Sequence, residues 1–345
     1  QKNRQPATAF TRRDPRSPDQ KWEIQVRNHN LWIESKGDEP AKSQLTRDGT
    51  EKNTYRNIGA GTRWLPSSTR NPDQCDVRWA PDSSRFVAYQ TPVAPENRVY
   101  YIESKPKSQL QPLLRSYRYP KPGDTLLSPR LKLFSVDSKT EIPVSNELFS
   151  NPFWTRFLGW SQSGDRFWIL YNARGHQKLR LLEIDAKDGS VKTLIEESSQ
   201  TFIHYSDSGK STFRDLPNNE ILWASERSGW NHLYRFDRDQ GTLINAITSG
   251  DWNVKRIHKV DIEKKSIWFY AVGIYPDQDP YHEHFCRVNF DGTDLTILTT
   301  GDGTHQIQFQ PNQESFVDTY SRVDMAPVKE LRDSKTGKLI AQLGR

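Results

Sequence analysis

The stretch Gly159-Trp160-Ser161-Gln162-Ser163 comes nearest to presenting a nucleophile. A Gly-x-Ser-x-Gly elbow strains the chain so that its serine hydroxyl projects. Here the fifth position is Ser163, and no other glycine opens the pattern. The stretch is therefore predicted to be an ordinary turn. His282-Glu283-His284 would put two imidazoles on one face of a strand, because side chains alternate with period two. Two nitrogens alone do not hold zinc, which needs more ligands and groups to orient them. Asp277-Gln278-Asp279 lacks the glycine and the distal acid of a calcium loop. Gly209-Lys210-Ser211 ends like a phosphate loop, but the leading glycine would fall at His204. Glu196-Glu197, the one adjacent glutamate pair, closes a strand and reads as a solvated strand end. No metal and no other cofactor is expected.

These residues sit on a chain built from repeats. Each unit has a Pro-Asp-like turn, a short apolar strand, a polar turn, and a second strand ending near an acid. Ser17-Pro18-Asp19 precedes Trp22-Glu23-Ile24-Gln25-Val26, and Trp79-Ala80-Pro81-Asp82 precedes Arg85-Phe86-Val87-Ala88-Tyr89. Trp160-Ser161-Gln162-Ser163-Gly164-Asp165 precedes Phe167-Trp168-Ile169-Leu170-Tyr171. Ile221-Leu222-Trp223-Ala224, Ile267-Trp268-Phe269-Tyr270-Ala271 and Phe316-Val317-Asp318-Thr319-Tyr320 open three later copies. Asp-Gly and similar pairs between strands tolerate the positive φ of tight turns. The later copies begin near residues 218, 264 and 312, intervals of 46 and 48. That period suits a propeller blade of four antiparallel strands, about 40–50 residues long. The earlier intervals are longer and can hold extra blades or insertions. An all-β propeller of about seven or eight four-stranded blades is expected, with a pair of packed β-sheets as the rival. Residues 1–16 are expected to form an N-terminal extension, and 17–345 the propeller.

Composition agrees. Only 34% of residues are apolar, yet there are 11 Trp, 13 Tyr and 15 Phe. Large rings can fill many thin cores from few positions. The net charge of +6 comes from 49 basic and 43 acidic residues that are interspersed, which predicts a mixed solvated surface and no nucleic-acid partner. No apolar run approaches the roughly 20 residues that span a bilayer. Cys75 and Cys286 imply no disulfide framework, and their spacing leaves a pairing between them open. The chain starts at Gln1 and has its single methionine at Met325, so processing or truncation is expected.

Longer motifs are more specific. Trp223-Ala224-Ser225-Glu226-Arg227-Ser228-Gly229-Trp230-Asn231-His232-Leu233-Tyr234 closely resembles a blade motif of dipeptidyl peptidase IV N-terminal regions. So do Leu45-Thr46-Arg47-Asp48-Gly49-Thr50, Arg118-Tyr119-Pro120-Lys121-Pro122-Gly123-Asp124, Gly301-Asp302-Gly303-Thr304-His305 and Asp318-Thr319-Tyr320-Ser321-Arg322. The resemblance runs from about Ser17 to Leu343. It implies a substrate-gating propeller of a prolyl-oligopeptidase-family serine peptidase, secreted or periplasmic. It also implies an α/β-hydrolase partner domain, in the same or a nicked polypeptide, carrying a Ser-Asp-His triad. Peptides are the implied substrates, and a homodimer is a possible assembly. This chain shows no such triad and is expected to be inactive alone.

In that family two adjacent glutamates on an insertion bind the free amino terminus of the peptide. The corresponding segment here, Glu51 to Arg78, has no Glu-Glu and only one glutamate, Glu51. Asp73, Asp76 and Arg56 are the substitute candidates for substrate binding. The alternative is a standalone propeller that binds a protein or polysaccharide.

Overall fold

The computed structural model describes residues 14–37, 39–56, 75–93, 97–119, 121–124, 128–204 and 213–344. Among them all regular structure is β, apart from a single 3-10 turn at Glu147–Phe149. Among the described residues the strands form six meander sheets and one separate hairpin. The chain divides into two compact units, Ala9–Gly175 with Leu179–Thr193, and His176–Lys178 with Leu194–Arg345.

In the first unit, Trp22–Arg27, Asn30–Ser35 and Lys42–Gln44 make a three-stranded sheet. The second sheet is built on Arg85–Pro92, which pairs Arg130–Ser135 on one edge. The third sheet runs in chain order through Pro152–Trp160, Arg166–Ala173, Lys178–Asp185 and Val191–Ser198. Its last strand continues into the second unit from Leu194 onward. That unit holds three further four-stranded meanders. The fourth sheet spans Phe213–Leu216 to Leu243–Ala246, the fifth Asn253–Asp261 to Thr296–Ile297, and the sixth Thr304–Phe309 to Leu339–Gly344. The long interval between the second and third turns holds the hairpin Arg98–Glu103 with Leu113–Arg118, which pairs with no other strand among the described residues. It is an insertion rather than a further blade.

Period-two alternation explains why the second and fifth sheets are apolar on both faces. In the second sheet, Phe86 and Ala88 pack with Ile24, Leu31 and Ile33 of the first sheet. Val87, between them, packs with Trp160, Phe167 and Ile169 of the third. In the fifth sheet, Ile267, Phe269 and Ala271 pack with Leu222 and Leu233 of the fourth. Trp268 and Tyr270 pack with Phe316 of the sixth. A strand whose neighbours cover both faces reads as a continuous apolar run. Within each unit, successive sheets therefore shield one another.

A repeated motif closes the first, fourth and fifth sheets in the same way. The hydroxyls of Thr46, Thr248 and Thr299 accept the backbone N–H of Leu31, Leu233 and Phe285, each at 2.9 Å. The residue before each threonine, Leu45, Ile247 or Leu298, is buried. A Leu/Ile-Thr pair thus pins the outer end of a sheet by one side-chain bond and one apolar plug. Gly189, at φ 75°, turns between two strands of the third sheet, and a β-carbon there would collide with the Pro143 carbonyl. Only glycine accepts both demands without strain.

Candidate functional site

The second sheet has one interrupted edge. Asn53–Thr54 pairs with Pro92 and Thr91, and Arg78–Trp79 pairs with Val87 and Phe86. Both short strands run antiparallel to Arg85–Pro92, on the edge opposite Arg130–Ser135. Between them, among the described residues, no strand pairs Ala88, Tyr89 or Gln90 on that edge. The chain leaves the sheet at Tyr55 and returns at Val77. The segment expected to meet a substrate therefore interrupts a strand rather than joining two sheets.

Both ends of the interruption are anchored. Tyr55 is buried, and its hydroxyl donates to Asp48 Oδ1 at 3.1 Å. Asp48 Oδ2 accepts from Gln90 Nε2 at 2.9 Å, which ties the exit point to one of the unmatched positions. Burial, followed by the Asp48 charge, pushes the Tyr55 phenol well above its ordinary range, so it stays a donor. Thr54 Oγ1 accepts the backbone N–H of Arg56 at 3.1 Å and lies 3.2 Å from His29 Nδ1. At the return, Cys75 and Val77 enter the core shared by the first two sheets. Trp160 Nε1 donates to the Arg78 carbonyl at 3.0 Å, and the Arg78 guanidinium lies 5.6 Å from the Phe157 ring centroid.

Asp76 and Arg56 therefore lie at the two mouths of the interruption, while Asp73 lies outside the described residues. Asp76 is already engaged, because Arg78 Nε donates to its Oδ1 at 3.0 Å. A ligand ammonium would have to share that carboxylate with a guanidinium. Arg56 is half-buried. Sequence reading did not single out Asp48, Gln90 and Arg78. The signal for Asp48 was its place in the Leu45–Thr50 motif, but one of its partners, Gln90, comes from a strand about forty residues later.

The other constellations resolve into structural roles. Ser161 Oγ donates to Asp165 Oδ1 at 2.6 Å, as does Ser163 Oγ. These two bonds hold the Asp165 carboxyl below its usual range, and the two hydroxyls are spent on holding this turn. Glu196 is exposed, as a strand end should be, but Glu197 is not. Its carboxylate accepts from Trp223 Nε1 at 2.8 Å, Ser225 Oγ at 2.7 Å and Arg227 Nη2 at 2.5 Å. The expectation of a solvated pair is corrected for this residue: the Trp-Ala-Ser-Glu-Arg motif is folded around it. Cys75 and Cys286 are both free and buried.

His282 and His284 diverge in environment. His282 Nδ1 lies 3.2 Å from Asp302 Oδ1. His284 is fully buried, packs against His305 and Tyr275, and has no hydrogen-bond partner at either ring nitrogen. Among the described residues no three His, Cys, Asp or Glu side chains converge as a metal cluster. Burial, then the neighbouring His305 and His282, hold the His284 pKa down to about 4. Between that value and 6.5 the unfolded chain binds a proton that the folded chain refuses, so stability falls as pH drops through this window. From pH 7.5 to 5.5 the loss from this one group is expected to be about 1 kcal/mol. Urea midpoints at the two values, for the protein and for His284→Asn, check it. An equal drop in both proteins would assign the effect elsewhere.

Stacked meanders of this order, with inner sheets apolar on both faces, are the blades of a β-propeller. The chain belongs to the family of the dipeptidyl peptidase IV (DPP IV) N-terminal region, whose model matches residues 5–327. It is 22% identical over 329 residues to the "Probable dipeptidyl peptidase 4" of Emericella nidulans, covering 89% of this chain and 40% of that protein. It is 24% identical over 282 residues to dipeptidyl peptidase 4 of Trichophyton equinum, covering 74% and 34%. The crystal structure of Porphyromonas gingivalis dipeptidyl peptidase 4 superposes with a TM-score of 0.59 at 19% identity, covering 95% of this chain and 44% of that one. The chain thus spans less than half the length of these relatives.

Proposed function

We propose that this chain is the substrate-gating propeller of a dipeptidyl peptidase IV-like serine peptidase, acting with an α/β-hydrolase domain of the same or a nicked polypeptide. It admits short peptides, excludes folded proteins, and works in a secreted or periplasmic setting. The observation that carries the reading is the interrupted edge of the second sheet. The described flanks of this segment are clamped, by Tyr55–Asp48 at one end and by the Arg78 carbonyl at the other. Sites supported by rigid elements keep their geometry better than sites on free loops. Asp73, Asp76 and Arg56 are its candidate contacts to the peptide terminus. Lacking paired glutamates, it selects a free ammonium less strictly than two unshared carboxylates would.

The test is an assay with aminoacyl-prolyl anilides and with a folded protein. The chain alone should give no turnover. The same chain joined to its hydrolase domain should cleave the anilide and spare the folded protein. Turnover by the chain alone, or equal attack on both substrates by the joined form, would refute the reading.

One observation favours a second reading, a propeller that binds a macromolecular partner. The hairpin Arg98–Glu103 with Leu113–Arg118 leaves Tyr100 64% and Ile102 68% exposed. An isolated two-stranded hairpin is marginal in water, so a covering partner, a second copy included, would stabilise it.

A further inference from the structure

We propose that the crevice between the fifth and sixth sheets is a binding site for a small phosphate or sulfate ester of an apolar ring. It is a cavity of about 270 Å³, lined on its charged side by Lys259, Lys264, Arg287 and Lys335. Trp268 and Phe309 supply its apolar walls. No acidic residue lines it.

The charge balance is lopsided and unspent. Lys259 faces Asp261 at 3.4 Å and sits 5.3 Å from the Trp268 ring centroid. The side chains of Lys264, Arg287 and Lys335 make no ion pair among the described residues. The nearby carboxylates are committed to their own turns. Asp261 accepts the Lys264 backbone N–H at 3.0 Å. Asp333 accepts from the Lys335 and Thr336 backbones and from the Thr336 hydroxyl. Both carboxyls are held below the usual range, so they remain charged and occupied. Four cations against two engaged carboxylates leave a surplus that suits a dianion.

Two orphaned donors sharpen the assignment. Ser266 lines the crevice, is 1% exposed, and its hydroxyl has no hydrogen-bond partner. Arg287 Nε is likewise buried without a partner. Buried polar atoms are nearly always satisfied, and leaving a donor unmet is costly. Ser266 and Arg287 both line the crevice, and a ligand's acceptor oxygen is what their unmet donors lack. A phosphate or sulfate offers several, and guanidinium and ammonium groups bind such oxyanions with charge-assisted bonds. The cavity falls just below the ~300–1,000 Å³ of drug-sized pockets, which limits the ligand to about one ring beside its anion. The same cations repel an ammonium, so this crevice is not a peptide amino-terminal anchor.

The experiment titrates the full chain by calorimetry with phenyl phosphate, phenyl sulfate, inorganic phosphate and benzylammonium. Phenyl phosphate should bind saturably, more tightly than inorganic phosphate, and more weakly as salt is added. Phenyl sulfate binding as tightly would assign the site to sulfate esters as well, within the same oxyanion chemistry. The exposed pair Lys264→Glu and Lys335→Glu, which leaves the core untouched, should weaken phenyl phosphate by at least about tenfold, the value of one charge-assisted bond. Ser266→Ala should weaken it too, by about threefold or more. No saturation up to about 10 mM, equal binding of benzylammonium, or an unchanged affinity in the Lys264/Lys335 variant would overturn the assignment.

Discussion

Replacing Glu197 by alanine is expected to lower the unfolding free energy by about 4 kcal/mol. Its carboxylate is the shared acceptor for an indole N–H, a serine hydroxyl and a guanidinium. Alanine leaves Trp223 Nε1 and Ser225 Oγ buried without it, and each unmet donor costs about 1–3 kcal/mol. Arg227 adds less, because its side chain is a third exposed and can turn to water. It also rests against the Tyr234 and Phe236 rings, contacts that survive the change. Glu197→Gln should fall between, since the amide keeps one acceptor but turns an NH₂ toward donors. Chemical denaturation followed by tryptophan fluorescence reads the difference. A loss under about 1 kcal/mol for the alanine variant would mean the motif does not fold around this carboxylate.

An equal loss, about 4 kcal/mol, is expected for Asp318→Ala. Asp318 is completely buried and accepts His305 Nδ1 through both oxygens, at 2.8 and 2.9 Å. His305 Nε2 lies 2.9 Å from the Gly301 carbonyl oxygen, so the ring sits between two acceptor groups. Arg332 Nε approaches the same carboxylate at 3.4 Å, but it also has Glu330, the Gly337 carbonyl and Thr300. The orphan left by alanine is therefore His305. Removing one partner of a buried pair costs more than replacing both, so the double variant Asp318→Val with His305→Phe should recover part of the loss. A double-mutant cycle reads the coupling, expected at about 2 kcal/mol. Coupling near zero would show that the two residues act independently.

The propeller was legible because its cores are local. Trp79 and Trp160 each precede a turn and then the strand they pack against, as Phe86 and Phe167 show, so a short window contains both partners. Of the Leu/Ile-Thr closures only Leu45-Thr46 was singled out, inside the Leu45–Thr50 motif. The blade count was less legible. The long interval after Trp79 holds a hairpin whose strands have the same composition as blade strands, and only its pairing reveals it as an insertion. Glu197 was misread because its three partners come from the next sheet. A clue was present: it lies two residues after Ile195, on the same face of the strand, and Ile195 is buried. The interrupted edge falls between the Leu45–Thr50 motif and Trp79, the stretch in which the family resemblance implies a substrate-binding insertion. Its anchoring to Gln90 was invisible, since nothing local links a glutamine to an aspartate forty residues earlier.

The two cysteines make the protein its own stopwatch. Each compact unit holds a single thiol, Cys75 in one and Cys286 in the other. Burial raises the Cys75 pKa to about 12 and lifts that of Cys286 as well, so neither offers a thiolate while its surroundings stay closed. Alkylation by iodoacetamide must then wait for each region to open, and mass spectrometry of the two cysteine peptides reads the two waiting times separately. Unequal rates would rank the units by how often they breathe, and identical rates across urea concentrations would show that they open as one.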